Sequence, residues 1–507
     1  MRTDTTREPD LSTRTRRMAA LGTLSLAMLL IAIDASILNI ALPRIADDLR
    51  PDATQLLWIV DSYSLTVAAL LVTTAALGDR FGRRRMLRVG LVVFTAATAL
   101  AALATSPELL ISARVLLGVG AALAMPATLS LLRAVFTDDR ERAFAIGLWS
   151  AVGAAGFVLG PVIGGIILQV TSWPFVFWVQ VPFVALALIA TRRLPEASAP
   201  GAVTIDVLGV LLSGAGLVSL VWGIKQVGES GVEGSGITLM ILGVASIAAF
   251  VLVQLRRARP MIDVRLFRST RFSTATLAVL ASNVALAAPL LLLTQQLQIA
   301  QGLDPLPAGL AFLPVALGAV ATGPLAPRVV KALGMNGAVG GGFLLVSAGL
   351  LVFAFVTPQT PYLLLVSGMV LLGGGVSIAS AAASAALLAA APAERAGNAA
   401  AIQETSYELG LTVGVSVFGS FALSVYRASL DLPTGLDSAV VVAVESGLPQ
   451  AAAVLADQPE LLAIAIDAFT ASFSDTTLLA AVAALVIAVV AAIALPRDRE
   501  SRSVTEH

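Results

Sequence analysis

Glu404 and Glu408 stand four residues apart in the stretch AAIQETSYELGL (400–411). On a helix they therefore share a face, one turn apart. Three more ionisable side chains interrupt apolar runs: Asp34 in LLIAIDASILNIALP, Asp61 in LLWIVDSYSL and Arg114 in RVLLGVG. Inside a lipid bilayer each such group costs at least roughly 2.5–3.5 kcal/mol, so it faces a protein interior and has a task or a partner there. Burial favours the neutral form of a carboxyl group, and two carboxylates within one turn compete for a proton. A carboxyl that gives up its proton when a cation arrives is the minimum chemistry for exchanging protons against cations. Asp34, Asp61, Arg114, Glu404 and Glu408 are the candidates for that chemistry, with Tyr63 and Tyr407 the aromatic rings nearest the acids. Asp34, Asp61 and Arg114 can form one acid–base cluster, and Asp61 with Arg114 is also the obvious helix-locking pair.

The elements that position these groups are membrane helices. The chain has 507 residues, 57% of them hydrophobic and 13% charged, with a mean hydropathy of +0.91; soluble domains carry roughly a quarter charged residues. There is no cysteine, and the single histidine is the last residue, His507. Thiol chemistry, histidine triads and histidine–cysteine metal sites are thereby excluded, and no GxxxxGK[ST] loop points to nucleotide hydrolysis. No metal, no cofactor and no nucleic-acid partner are expected.

A span needs about 20 apolar residues. Runs of that length lie near 18–42, 55–77, 86–105, 108–132, 143–169, 173–191, 206–225, 236–255, 273–299, 307–328, 337–357, 361–390, 397–425 and 476–495. The positive charges check this series. With the N-terminus cytoplasmic, 27 of the 32 Lys and Arg residues fall in segments on the cytoplasmic side, and one miscounted span would invert the pattern downstream. Lys225, Arg44, Arg50 and Arg427 fall outside. The expected architecture is an all-α membrane protein with fourteen spans and both termini cytoplasmic. Asp34 then sits about 16 residues or roughly 24 Å into the first span, in its outer half. Glu404 and Glu408 lie closer to the cytoplasmic face.

An internal repeat refines this. RVLLGVG (114–120) echoes MVLLGGG (369–375), ERA recurs at 141–143 and 394–396, and GFVLG (156–160) matches GLTVG (410–414). The common offset pairs span 4 with 12 and span 5 with 13. Six spans, an inserted pair, then six more follow: a tail 1–17, a first bundle 18–191, a linker with inserted hairpin 192–272, a second bundle 273–495 and a tail 496–507. Two six-helix halves around a midplane site is a transporter arrangement. In this alignment Glu404 matches Ser150 and Glu408 matches Ala154, so the acids are a one-sided addition to a symmetric scaffold.

Two motifs complete the reading. AALGDRFGRRRML (75–87) places Gly78, Asp79, Arg80, Gly82, Arg83 and Arg84 between spans 2 and 3. The glycines allow tight turns and the arginines face an anionic leaflet. GLWSAVGAAGFVLGPVIGG (147–165) repeats small residues at Gly153, Gly156, Gly160 and Gly164, which let a neighbouring helix approach closely, with Pro161 as a kink.

GDRFGRRRML resembles motif A of the major facilitator superfamily, and GPVIGG, with Gly160, Pro161, Gly164 and Gly165, resembles its antiporter motif. AIDASILNIALPRIADDL followed by LLWIVDSYSL is similar to the first two helices of the fourteen-helix drug:proton antiporter branch, as is YELG on span 13. The resemblance covers Met18 to about Leu495. It implies a major facilitator fold and a proton-coupled antiporter in the cell membrane, exporting lipophilic, mainly cationic drugs, dyes or antiseptics by alternating access. It implies a latch made by Asp79 and the arginines at 80–85, and contact of Asp34 and the span 13 glutamates with cation or proton. Tyr63 and Tyr407 join Asp34, Glu404 and Glu408 as the expected substrate site. The driving force is the proton gradient, and the protein is expected to be monomeric. Ala75 departs from motif A, and in its second-half echo, GPLAPRVVKALG (323–334), Pro327 replaces the acid, so an asymmetric latch is expected. Residues 426–475, with seven acidic side chains against Arg427, are expected outside as short amphipathic helices. A dedicated exporter of a self-made antibiotic is the nearest alternative, and a non-transporting receptor the alternative of a different class.

Overall fold

The computed structural model describes residues 14–196, 206–230, 235–257, 260, 262–356, 360–392, 396–433 and 436–494. The two tails, the 197–205 linker and Arg395 lie outside the described residues, as do the side chains of Asp79, Ser150 and Ala154.

The described chain is helical. Its α-helices are α1 (Arg14–Leu49), α2 (Ala53–Phe81), α3 (Arg83–Ala102), α4 (Pro107–Val135), α5 (Asp139–Val170), α6 (Phe175–Trp178), α7 (Gln180–Ala190), α8 (Val207–Ser230) and α9 (Gly236–Arg256). After these come α10 (Thr270–Gln295), α11 (Pro305–Leu310), α12 (Leu313–Thr322), α13 (Ala326–Ala354), α14 (Tyr362–Ala390) and α15 (Ala396–Ser429). Two short helices, α16 (Ser438–Glu445) and α17 (Leu448–Val454), precede the last, α18 (Pro459–Ala494). Eleven helices among the described residues are long and apolar enough to cross a membrane, and two shorter apolar helices, Gln55–Leu71 and Ala155–Val170, accompany them.

Local chemistry sets the boundaries. Asp52 starts α2 by accepting the Gln55 amide at 2.7 Å, while the Gln55 side chain accepts the Asp52 amide at 2.9 Å, a reciprocal cap that satisfies two otherwise free donors. Ser106 caps α4 ahead of Pro107, whose missing N–H costs nothing at a helix start. Gly82, at φ 100°, turns the chain from α2 directly into α3. Gly334, at φ 79°, makes the corresponding bend within α13. These two glycines align the halves of motif A differently from the sequence echo: counted back from the bends, Lys331 rather than Pro327 occupies the Asp79 position. The alignment by backbone bend is thus four residues away from the one by sequence echo.

Helix pairing repeats along the chain. In the first half α1 packs on α5, and α4 on both α2 and α3; later α10 packs on α15, and α14 on both α12 and α13. α8 and α9 pack on each other, and α8 also touches α2 and α15, one helix from each half. The glycines explain the closest pairs. A Cβ on Gly156 would meet Leu29 O of α1 at 2.8 Å, and one on Gly160 would meet Ile33 O at 2.9 Å. The GLTVG glycines do the same against α10: a Cβ on Gly410 would meet Leu280 O at 2.5 Å, and one on Gly414 would meet Val284 O at 2.7 Å. Each half thus has a helix whose GxxxG stripe rides on the backbone of a partner helix.

Two expectations about length change. Lys225 was expected in an external loop, but α8 continues to Ser230 and the side chain is buried. Within 426–475, α15 runs to Ser429 and α18 starts at Pro459, so the segment between the two long helices is 430–458. At 36 residues, α18 is roughly 54 Å long, well beyond a bilayer core of about 30 Å. Only α16 and α17 are short helices there.

Candidate functional site

Five helices bring ionisable side chains to two levels of the interior. At the upper level, farther from Arg14, Asp34 of α1 meets Arg114 of α4, with Nη1 2.8 Å from Oδ2. Both side chains are fully buried. Gln180 of α7 donates from Nε2 to the other carboxylate oxygen at 3.4 Å, and Arg114 donates from Nε to Ile59 O at 3.3 Å. The guanidinium lies 4.6 Å from the centre of the Tyr63 ring. A buried pair survives only when its remaining donors and lone pairs are also satisfied, and here a carbonyl, an amide and an aromatic face do that.

Asp61 does not join them. Ile59 and Tyr63 are four residues apart and share the face of α2 that meets Arg114. Asp61, two residues from each, points to the opposite face at about 100° per residue. There its Oδ2 lies 2.9 Å from Lys225 Nζ of α8, and Ser416 of α15 donates to the same oxygen at 3.3 Å. Lys225 Nζ also lies 4.6 Å from the Trp58 ring centre, and Trp58 packs edge-on against Trp222 at 6.0 Å. The single cluster of Asp34, Asp61 and Arg114 is therefore two ion pairs, and the Asp61–Arg114 lock is replaced by Asp34–Arg114 and Asp61–Lys225.

At the lower level α15 supplies Glu404, Tyr407 and Glu408. Tyr407 is held by α14: its hydroxyl shares hydrogen bonds with Ser380 Oγ at 3.2 Å and Ser384 Oγ at 2.9 Å. Glu408 is buried, and its Oε2 meets no hydrogen-bond partner among the described atoms. Glu404 is half-buried, in electrostatic range of Glu408 and of Arg133 in the last turn of α4. Tyr63 is in electrostatic range of Asp34, Arg114 and Glu408, so it stands between the two levels. A buried carboxyl with an open oxygen can take a proton or face a cation; one already paired with arginine does neither without first losing its partner.

The described arginines of motif A reach α4 and the chain that follows α7. Arg84 donates from its amide to Glu196 Oε1 at 3.0 Å and from Nη1 to Leu194 O at 2.8 Å. Arg88 donates to Thr191 Oγ1 at 3.0 Å, and Arg83 to Ser130 O at 3.4 Å. A Cβ on Gly82 would lie 2.6 Å from Glu196 Oε1, so the glycine is what lets that carboxylate close over the turn. The antiporter motif splits by face: Gly153, Gly156, Gly160 and Gly164 pack on α1, while a Cβ on Gly165 would meet Pro305 O at 2.6 Å and the Pro161 carbonyl packs against Gly309, both across to α11.

Sequence reasoning missed Lys225, Gln180, Ser416 and Glu196. Lys225 sits at the end of its apolar run and Glu196 in a polar linker, where charge carries no signal. Among the described residues no group of three or more acidic, histidine or cysteine side chains can hold a metal ion.

A sequence model of the Major Facilitator Superfamily matches residues 24–415. The multidrug efflux pump LfrA of Mycolicibacterium smegmatis is 38% identical over 499 residues, covering 97% of this chain and 98% of that protein. The methyl viologen resistance protein SmvA of Salmonella typhimurium is 33% identical over 438 residues, 86% of this chain and 88% of that one. Among solved structures, a bacterial homolog of the human lysosomal transporter Spinster in its inward-facing, unoccupied conformation superposes with a TM-score of 0.64 at 16% identity, covering 97% of this chain and 100% of that one.

Proposed function

The chain belongs to the major facilitator superfamily, and from that premise we propose that it is a proton-coupled exporter of lipophilic, mainly cationic drugs, dyes or antiseptics. It is a multi-pass protein of the cell membrane and not an enzyme. The observation that carries the reading is the series of ionisable groups through the interior: Asp34–Arg114 above, Tyr63 between, Glu408 and Glu404 below, and Arg133 towards the terminal end. Relatives at 38% and 33% identity bear the names multidrug efflux pump and methyl viologen resistance protein, and methyl viologen is a flat organic cation of the kind that carboxylates and aromatic rings bind.

The chain spans the membrane fourteen times with both termini cytoplasmic. The 50-residue stretch Pro305–Ala354 bends at Gly334 and supplies two spans, and the helices holding Gln55–Leu71 and Ala155–Val170 supply one each. Residues 18–191 form one bundle, 273–495 the other, and α8 with α9 the insert between them. Asp34, Tyr63, Glu404, Tyr407 and Glu408 take the substrate; Asp34, Asp61, Arg114, Glu404 and Glu408 couple it to protons. Motif A and the antiporter glycines govern the rocking of the bundles. The protein works as a monomer on the proton gradient, where each charge moved gains about 2.3 kcal/mol per 100 mV, and needs no cofactor.

Uptake of ethidium into everted membrane vesicles tests this. A proton gradient should drive uptake and a protonophore abolish it. Asp34→Asn, and Glu404→Gln with Glu408→Gln, should each lower the rate at least about tenfold, since a neutral amide neither binds a proton nor attracts a cation. Uptake indifferent to the protonophore, or undiminished in both variants, removes the proposed coupling.

A further inference from the structure

The Asp61–Lys225 pair has a feature that a helix lock does not require: it holds an ammonium group as a ligand would be held. Lys225 Nζ lies 2.9 Å from a carboxylate oxygen and 4.6 Å from the centre of an indole ring, fully buried. Beyond that one oxygen it meets no hydrogen-bond partner among the described atoms, so most of its N–H groups stay unpaired. A carboxylate and an aromatic face are the two elements that recognise organic cations, including quaternary ones that carry no N–H to donate. The site therefore suits a cation lacking donors better than it suits a lysine, which leaves donors unsatisfied at a desolvation cost.

We propose that Asp61 and Trp58 form an ammonium subsite that Lys225 occupies as a tethered cation and yields to a cationic substrate. The inference rests on the cation-export reading above. Lys225 has somewhere to go: it stands five residues before the end of α8 at Ser230, roughly 7.5 Å along the axis, within reach of a side chain that can extend its ammonium to the membrane surface. Its departure has consequences for the insert. α8 supplies Lys225 and Trp222 to this site and touches both α2 and α15, while Ser416 of α15 binds the same Asp61 oxygen. Substrate at Asp61 thus loosens the inserted hairpin from a point where the two bundles meet.

Equilibrium binding of radiolabelled tetraphenylphosphonium to the purified full-length protein in detergent tests the idea, in wild type, Lys225→Met, Lys225→Arg, Asp61→Asn and Asp61→Asn/Lys225→Met. Removing the tethered competitor should tighten binding at least threefold in Lys225→Met. Lys225→Arg, whose fork grips a carboxylate more firmly, should weaken binding at least threefold. On the Asp61→Asn background Lys225→Met should change nothing. Unchanged or weaker binding in Lys225→Met, shifts of the same sign in Met and Arg variants, or an equal shift on the Asp61→Asn background overturns the proposal. If Lys225→Met fails to fold because Asp61 is left buried and unpaired, the Arg variant decides, and unaltered binding in it overturns the proposal. Wild type that binds and exports the probe while the Lys225 variants match it sinks this inference alone; wild type that handles no organic cation sinks the export reading too.

Discussion

Asp34 and Arg114 are buried together, and their mutual attraction offsets a desolvation cost that either would bear alone. Removing one partner from such a pair typically costs about 3–5 kcal/mol, whereas replacing both with neutral groups of similar size is often neutral or better. Arg114→Ala is therefore expected to lower the thermal stability of the detergent-solubilised protein by an amount of that order, and Asp34→Asn/Arg114→Met to restore most of it. Drug uptake should be lost in both, in Arg114→Ala with the coupling arginine and in the double variant with the carboxylate at position 34. Thermal unfolding and vesicle uptake measured side by side check this; a double variant as unstable as Arg114→Ala would show that the pair is not what stabilises the site. At this scale the acids were legible because an ionisable group inside an apolar run is conspicuous. Their partners were not. Which face of α2 carries Asp61 depends on how the helix is rotated against its neighbours, and that rotation is fixed by packing with α4, α8 and α15 rather than by anything local to LLWIVDSYSL.

The helices were legible from length and apolar content, and the glycine spacing on α5 correctly signalled a close neighbour. The identity of that neighbour came only with the packing against α1. The contact yields a graded prediction, because glycine-to-alanine substitution has two opposing terms. Alanine favours a helix over glycine by about 1 kcal/mol, while forcing a methyl group into a filled contact typically costs about 1–3 kcal/mol. A Cβ on Gly22 meets nothing within 4 Å, so Gly22→Ala should be neutral or slightly stabilising. A Cβ on Gly153 meets the flexible end of Met28 at 3.1 Å, so Gly153→Ala should change little. A Cβ on Gly160 meets the Ile33 carbonyl at 2.9 Å and the Ile37 amide at 3.0 Å, backbone that cannot step aside. Gly160→Ala should therefore be the destabilising one of the three by melting temperature. Equal melting temperatures for all three would mean that α1 and α5 are not in the close contact described. The register of the second motif A differs for a related reason: the repeat is carried by backbone bends at Gly82 and Gly334, and around the second bend Lys331 stands where the motif has its acid and Met335, Asn336 and Gly337 where it has arginines.

For the molecule as a whole, the proposed alternating access requires the two proposed bundles to separate at the end remote from Arg14. In this conformation that end is closed: Gly165 of α5 packs on α11, the Pro161 carbonyl on Gly309, and Gln298 donates to Ile40 O of α1 at 3.4 Å. A Cβ on Gly165 would meet Pro305 O at 2.6 Å and Leu306 Cα at 2.8 Å, backbone that leaves no room for a cysteine there, so the pair to fasten is Ile40 and Gln298. The chain contains no native cysteine, so any cross-link in Ile40→Cys/Gln298→Cys made by a short reducible thiol-to-thiol reagent is the intended one. Cross-linking should fasten the bundles in the closed position and reduce drug uptake into everted vesicles at least about tenfold, and a reductant should restore it. The untreated double-cysteine protein, which should transport, controls for the substitutions themselves. Complete cross-linking, read as a mobility shift of the intact chain, together with undiminished uptake would show that the drug leaves without parting α1 from the segment that carries Gln298. A rocking mechanism with its outer gate at the antiporter motif would then be wrong, whatever the acids below it do.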